Sequence, residues 1–226
     1  MGLPDHLWLS QRRCGRWSGR ISQIRAREGH MDQSDRFGRW RKKIPASTAK
    51  LVDLVSDQIV PLFQARGIVQ HTDYAGGRTL SVGANCIPLQ LRQGVEWPTV
   101  EILFDKRARP ALGVTFAMLP ELCFRKTERG PIQIPRSEAN VTEGPAFFSL
   151  CKGHRGYNDR NFGYYYFSLS PNRKLIVEIN TLKSLLPWLF DLFESGIPDD
   201  WLQGPPRYVD RHAFLVLGSR NYGDSA

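Results

Sequence analysis

The sequence predicts an α+β domain: an antiparallel β-meander packed by an N-terminal and a C-terminal amphipathic helix. Two stretches near the ends of the chain carry apolar residues at three- and four-residue steps. Between them the period changes to alternation broken by turn residues, as expected of paired strands. The connections are too short to hold crossover helices, which favours antiparallel pairing over parallel βαβ units.

The first helix is predicted from Ser47 or Thr48, either of which can cap it, to about Arg66. Leu51, Leu54, Val55, Ile59, Leu62 and Phe63 form its buried stripe. Pro61 removes a hydrogen bond and predicts a bend or a new first turn, and Gly67 is placed to end the helix. Strands follow over 68–74, 79–83, 86–92, 99–105 and 111–118, with Val100, Ile102 and Phe104 alternating against Glu101, Leu103 and Asp105. Residues 119–145 hold four prolines and little periodicity, so an irregular loop is expected there. Residues 146–152 and 163–170 complete the strand signals. The second helix has Leu182, Leu185, Leu186, Leu189, Phe190 and Phe193 on one face, a cap at Asn180 or Thr181 and an end at Gly196. Pro187 predicts a bend or an early break. A short helical turn capped by Asp199 or Asp200, and a strand-like run over 213–217, close the chain.

The net charge of +9 is unevenly placed. Residues 1–50 hold 12 Lys/Arg against 4 Asp/Glu, while residues 51–226 hold 19 against 18. Whole-chain basicity is therefore a property of the leading segment. Residues 1–45 read as a disordered basic leader, residues 46–218 as a single α+β domain and residues 219–226 as a frayed tail. Within the leader, 1–30 shows no sustained period, and Met31 is the expected native start; a transit peptide is the competing reading. The cysteines Cys14, Cys86, Cys123 and Cys151 are far apart without a C-x-x-C pair, which points to reduced thiols and a cytoplasmic protein. No apolar run approaches the roughly 20 residues of a membrane helix. No phosphate-binding glycine loop joins a strand to a helix, and no cofactor is expected.

The stretch "CKGHRGYNDRNFGYYYFSLS" gathers Cys151, His154 and Asp159, the ingredients of a nucleophilic set for a hydrolase-like enzyme. The plainer reading is a buried thiol at a strand end, followed by a polar turn. Arg155 and Arg160 stand in that turn as candidate anion contacts, before an aromatic strand read as core. His71 and Asp73 share one strand face, a two-ligand start for a metal with no third ligand in view, so no metal is expected. His71 also stands as an alternative catalytic candidate. Glu96, Glu101 and Asp105 are candidates for a polar cleft. The basic run over 36–43, with Arg39, Trp40, Arg41, Lys42 and Lys43, is a candidate contact for nucleic acid. The alternative is a solvated arm with Trp40 folded back on the body.

Three segments carry a resemblance: "LVDLVSDQIVPLFQARGI", "IPLQLRQGVEWPTVEILFD" and "LKSLLPWLFDLFESGIPDDWL". Their order and texture over residues 46–203 resemble an uncharacterised family of bacterial α+β domains, although that family usually has Phe where this chain has Ile68. The resemblance implies a non-catalytic protein-interaction module of the immunity type, with a protein partner and no transferred site residues. Binding of nucleic acid through the basic leader is the weaker alternative, and no association with a membrane is expected.

Overall fold

The first described element is a helix, α1 (Gln33–Arg41), built around Phe37 and Trp40. Spaced three apart, the two rings fall on one side of the helix and, with Ile44, pack on the main core. Trp40 stacks on Phe104 with ring centroids 5.7 Å apart, and Phe37 lies 6.1 Å from the same ring. Residues 33–45 therefore depart from the expected disordered leader, because their aromatic residues are held by the sheet. The structure, a computed structural model, describes residues 33–71, 85–105, 110–152, 162–163, 171–201, 207–208 and 213–219.

Helix α2 (Ala46–Gln58) starts at Pro45 without a side-chain cap; Thr48 and Ala49 donate their amides to the Pro45 carbonyl. Ser47 and Thr48, the expected caps, lie inside the first turn instead. Leu51, Val52, Val55 and Ile59 are buried, whereas Leu62 stays on the open side. The chain breaks at Ile59 and restarts as α3 (Val60–Gln64), with Pro61 in its first turn. Proline there cannot donate back to Asp57, which explains the new start. Gly67 adopts φ +74°, letting Ile68 donate to the Phe63 carbonyl (3.1 Å) and Gly67 to Gln64 (2.9 Å). These are the two bonds of a left-handed helix stop.

Among the described residues the main sheet is antiparallel and has eight strands in the order β1-β2-β3-β4-β7-β10-β9, with β8 paired to the start of β4. Its frame is β2 (Cys86–Gln90), β3 (Trp97–Phe104), β4 (Ala111–Leu119), β7 (Ala146–Lys152) and β10 (Ala213–Ser219). β1 (Val69–Gln70), β8 (Phe162–Gly163) and β9 (Arg207–Tyr208) are short additions. Strands β1 to β4 run as a meander; β10 then reaches β7 after the long helix α4 (Pro171–Ser195). The expected strand over 79–83, and residues 164–170 of the expected strand over 163–170, lie outside the described residues.

Helix α4 begins at Pro171, well before the expected cap at Asn180 or Thr181, and it continues unbroken through Pro187. Pro187 lies on the exposed side, so the bond it removes faces water. Leu182, Leu185, Leu186, Leu189, Phe190 and Phe193 are buried on either side of the proline and hold the axis. Gly196, at φ +82°, follows the last turn. Both α2 and α4 cover the sheet face carrying Val100, Ile102, Phe104, Val114, Phe116 and Phe148. Phe193 meets Phe116 edge-on at 5.7 Å, Phe63 meets Phe190 at 5.3 Å, and Lys183 donates to Gln58 at 2.7 Å.

The opposite sheet face is covered as well. Residues 119–145, expected to be irregular, form a hairpin of β5 (Leu122–Thr127) and β6 (Gly130–Pro135), then a 3₁₀ turn at Val141–Glu143. Thr127 pairs with Gly130 across a two-residue turn, and Gly130 takes φ +112°, open to glycine but costly to other residues. Because Pro131 and Pro135 have no N–H, both occupy β6 positions whose backbone points away from β5. Ala117, Leu119, Cys123, Ile134, Ala139 and Val141 make a second apolar cluster beneath this cover.

Trp40→Ala is expected to lower the unfolding free energy by about 2 kcal/mol, less than full burial would give. Urea denaturation measures it, and a change below about 0.5 kcal/mol would show that α1 is not held by the core.

Candidate functional site

The hairpin presents two unlike faces because side chains alternate along a strand. Cys123, Arg125, Ile132 and Ile134 share the side turned toward the sheet; Leu122, Phe124, Lys126, Pro131, Gln133 and Pro135 share the outer side. On the inner side Cys123 and Ile134 are buried. The outer side leaves Leu122 at 50% and Phe124 at 42% exposure, with Pro131 and Pro135 also exposed. Ile132, nearer the tip, is 47% exposed because the cover ends there. The outer side of this excursion from the main sheet thus carries Leu122, Phe124, Pro131 and Pro135 as exposed apolar residues.

What holds the excursion is polar and buried. The Glu143 carboxylate accepts two bonds from Arg125, Nε to Oε1 at 2.6 Å and Nη2 to Oε2 at 3.1 Å. It also accepts the Asn140 amide at 2.9 Å, while the Asn140 side chain accepts the Thr142 amide at 2.9 Å. This reciprocal capping box fixes the 3₁₀ turn. Glu101 of β3 reaches the same turn, its Oε1 accepting the Val141 amide at 3.0 Å. A buried carboxylate needs such partners, since removing a charge from water is costly. Gln90 donates to Thr99 at 3.0 Å and to the Arg136 carbonyl at 3.1 Å, tying the far end of β6 to the sheet. Arg136 stacks on Trp97 at 4.1 Å and donates to the Val95 carbonyl.

A second surface is α1 itself. Trp40 is partly buried, its ring stacked on Phe104 and so folded back on the body. Arg39, Arg41, Lys42 and Lys43 remain exposed, with Arg41 paired to Asp53.

The other sequence candidates disperse. The backbone of Cys151 lies in β7 opposite Phe214; His154, Arg155, Asp159 and Arg160 fall outside the described residues. His71 is buried, with Nδ1 3.5 Å from Arg92 Nη2, and its expected ligand partner Asp73 is outside the described residues. Among the described residues no group of three His, Cys, Asp or Glu side chains is placed to hold a metal. Glu101 is structural, whereas Glu96 borders an open depression of about 470 Å³ with Leu91, Met118, Phe193 and Glu194. Asp199 and Asp200 lie in a 3₁₀ turn (Asp199–Trp201), where the Trp201 amide bonds the Pro198 carbonyl.

Sequence reasoning missed the hairpin face. Its signal was present in the alternation of Ile132 and Ile134 and in the glycine closing the turn after Thr127, but the prolines masked it. Comparison with protein-family models, curated protein sequences and solved structures returned no match.

Burial, reinforced by Glu143 and opposed by Arg136, pushes the Cys123 thiol up from 9.0 to about 11. The fold therefore favours the neutral thiol. Its contribution is complete below pH 9 and is lost as pH rises through 11. Urea midpoints at pH 8 and pH 10.5 are expected to fall further for the wild type than for Cys123→Ala. An equal fall in both would remove the thiol from the account.

Proposed function

We propose that this chain is a non-catalytic protein-binding module, of the immunity type suggested by its family resemblance, and that it engages its partner with the outer face of the β5–β6 hairpin. One observation carries the reading: Leu122 and Phe124 stand exposed on the outer side of the hairpin, with Pro131 and Pro135 on the same side. Isolated surface hydrophobes need no explanation, but a contiguous patch is a recurring mark of contact sites.

The arrangement suits that role physically. The inner side chains and the Arg125–Glu143 pair fix the strands, so presenting the outer side requires little further ordering. Phe124 supplies a rigid aromatic anchor of the kind that dominates interface energetics, and Lys126 and Gln133 give the patch polar neighbours. Binding of this sort needs shape and burial rather than converging catalytic groups.

Leu122→Asp/Phe124→Asp tests the proposal, with thermal melts checking that the variant stays folded. With a purified partner identified by native co-purification, isothermal calorimetry is expected to show affinity weakened about 100-fold or more, as loss of an anchor predicts. A control at Ile176→Asp/Val177→Asp, exposed on α4, is expected to bind normally. Unchanged affinity in the hairpin variant, with both variants melting like the wild type, refutes the reading.

A further inference from the structure

We propose that the exposed side of α1 and the turn after it form a docking surface for the phosphate backbone of nucleic acid. This surface is independent of the hairpin. Residues 33–50 contain six Lys/Arg and a single Asp. Phe37, Trp40 and Ile44 hold the opposite side of the helix on the body. The cations are therefore displayed from a fixed element rather than from a loose arm, which spares part of the ordering entropy that binding would cost.

The placement of each charge bears on the proposal. Arg36 is half-buried at the margin, while Arg39, Lys42, Lys43 and, on α2, Lys50 are exposed. Arg41 is engaged by Asp53, leaving its neighbours to face outward. Lys42 and Lys43 stay beside the helix end because their amides bond the carbonyls of Gly38 and Trp40. Favourable interaction with the helix dipole accounts for cations at the C-terminal end of α1. It covers Arg39 and Arg41 in the last turn, but does not account for Arg36 further back or for Lys50 on a different helix. From Arg36 to Arg41 the helix rises about 7.5 Å at its usual pitch. A duplex presents roughly four backbone charges over that length.

Two other polyanionic partners fit less well. An interfacial membrane helix needs an apolar face to insert, and in α1 that face is committed to Phe104 and the core. A protein interface is expected to have an apolar or aromatic centre, yet the aromatic residues here are turned inward. A surface with cations in excess and no exposed aromatic centre matches phosphate, where affinity arises from counterion release.

Fluorescence anisotropy of the full chain with a 20-base-pair DNA duplex, titrated across salt, tests the inference. Arg39→Gln/Lys42→Gln/Lys43→Gln is expected to weaken binding at least tenfold at low salt. It should also reduce the slope of log affinity against log salt by about three, close to one per lost contact. The pair Lys42→Gln/Lys43→Gln, which leaves the helix itself untouched, should reduce the slope by about two. A charge-matched control, Lys126→Gln/Arg129→Gln/Arg173→Gln, should change neither quantity. Absent binding, equal loss in the control, or tighter binding to anionic phosphatidylglycerol vesicles or polyglutamate than to DNA would each overturn the proposal.

Discussion

The structure depends on burying both faces of β3 and β4. Along β3, Val100, Ile102 and Phe104 are covered by helices, yet Thr99 and Glu101 on the reverse face are buried as well. A sheet covered on one side by helices ordinarily leaves its other side to water. Here Ala117, Leu119 and Glu101 need a second cover, and the chain makes one from the segment between β4 and β7. The position of the hairpin follows from that requirement. Its inner side chains complete a core, and Leu122 and Phe124 on its outer side stay partly exposed.

The second cover is held differently from the first. Helices α2 and α4 attach through aliphatic and aromatic packing, which is nondirectional and tolerant of small shifts. The hairpin is attached through oriented groups: Glu143 with Arg125 and Asn140, Glu101 with the Val141 amide, and Gln90 with Thr99 and Arg136. Such bonds add little net stability in themselves, but leaving one buried partner unmatched is costly. They fix register and angle.

Much of the first layer was legible in the sequence, because a single apolar stripe is enough to mark a helix or half-buried strand. The stripe of α2 and the alternation of β3 were of this kind. The period did not reveal that Glu101 is buried, since a paired carboxylate looks polar whether it meets water or a backbone amide. The hairpin was hidden because proline normally argues against strands, while Pro131 and Pro135 fit positions where a missing N–H costs nothing. Helix α4 began earlier than its caps suggested and passed Pro187 because tertiary burial outweighed the local breaker. Helix α1 was obscured by its basic composition, although Phe37, Trp40 and Ile44 already described one buried side. For the candidate surfaces, the sequence supplied the cations of α1 but assigned Trp40 two competing directions. It gave no weight to Leu122 and Phe124.

Native-state hydrogen exchange, resolved to single amides, tests the two-sided core most directly. If the hairpin is an integral cover, the amides of Cys123, Arg125 and Val141 will exchange only through the same cooperative opening as those of β3 and β4. Exchange of those three amides orders of magnitude faster, while β3 and β4 stay protected, would contradict it: the hairpin would then be an appendage, and the reverse sheet face would not need it.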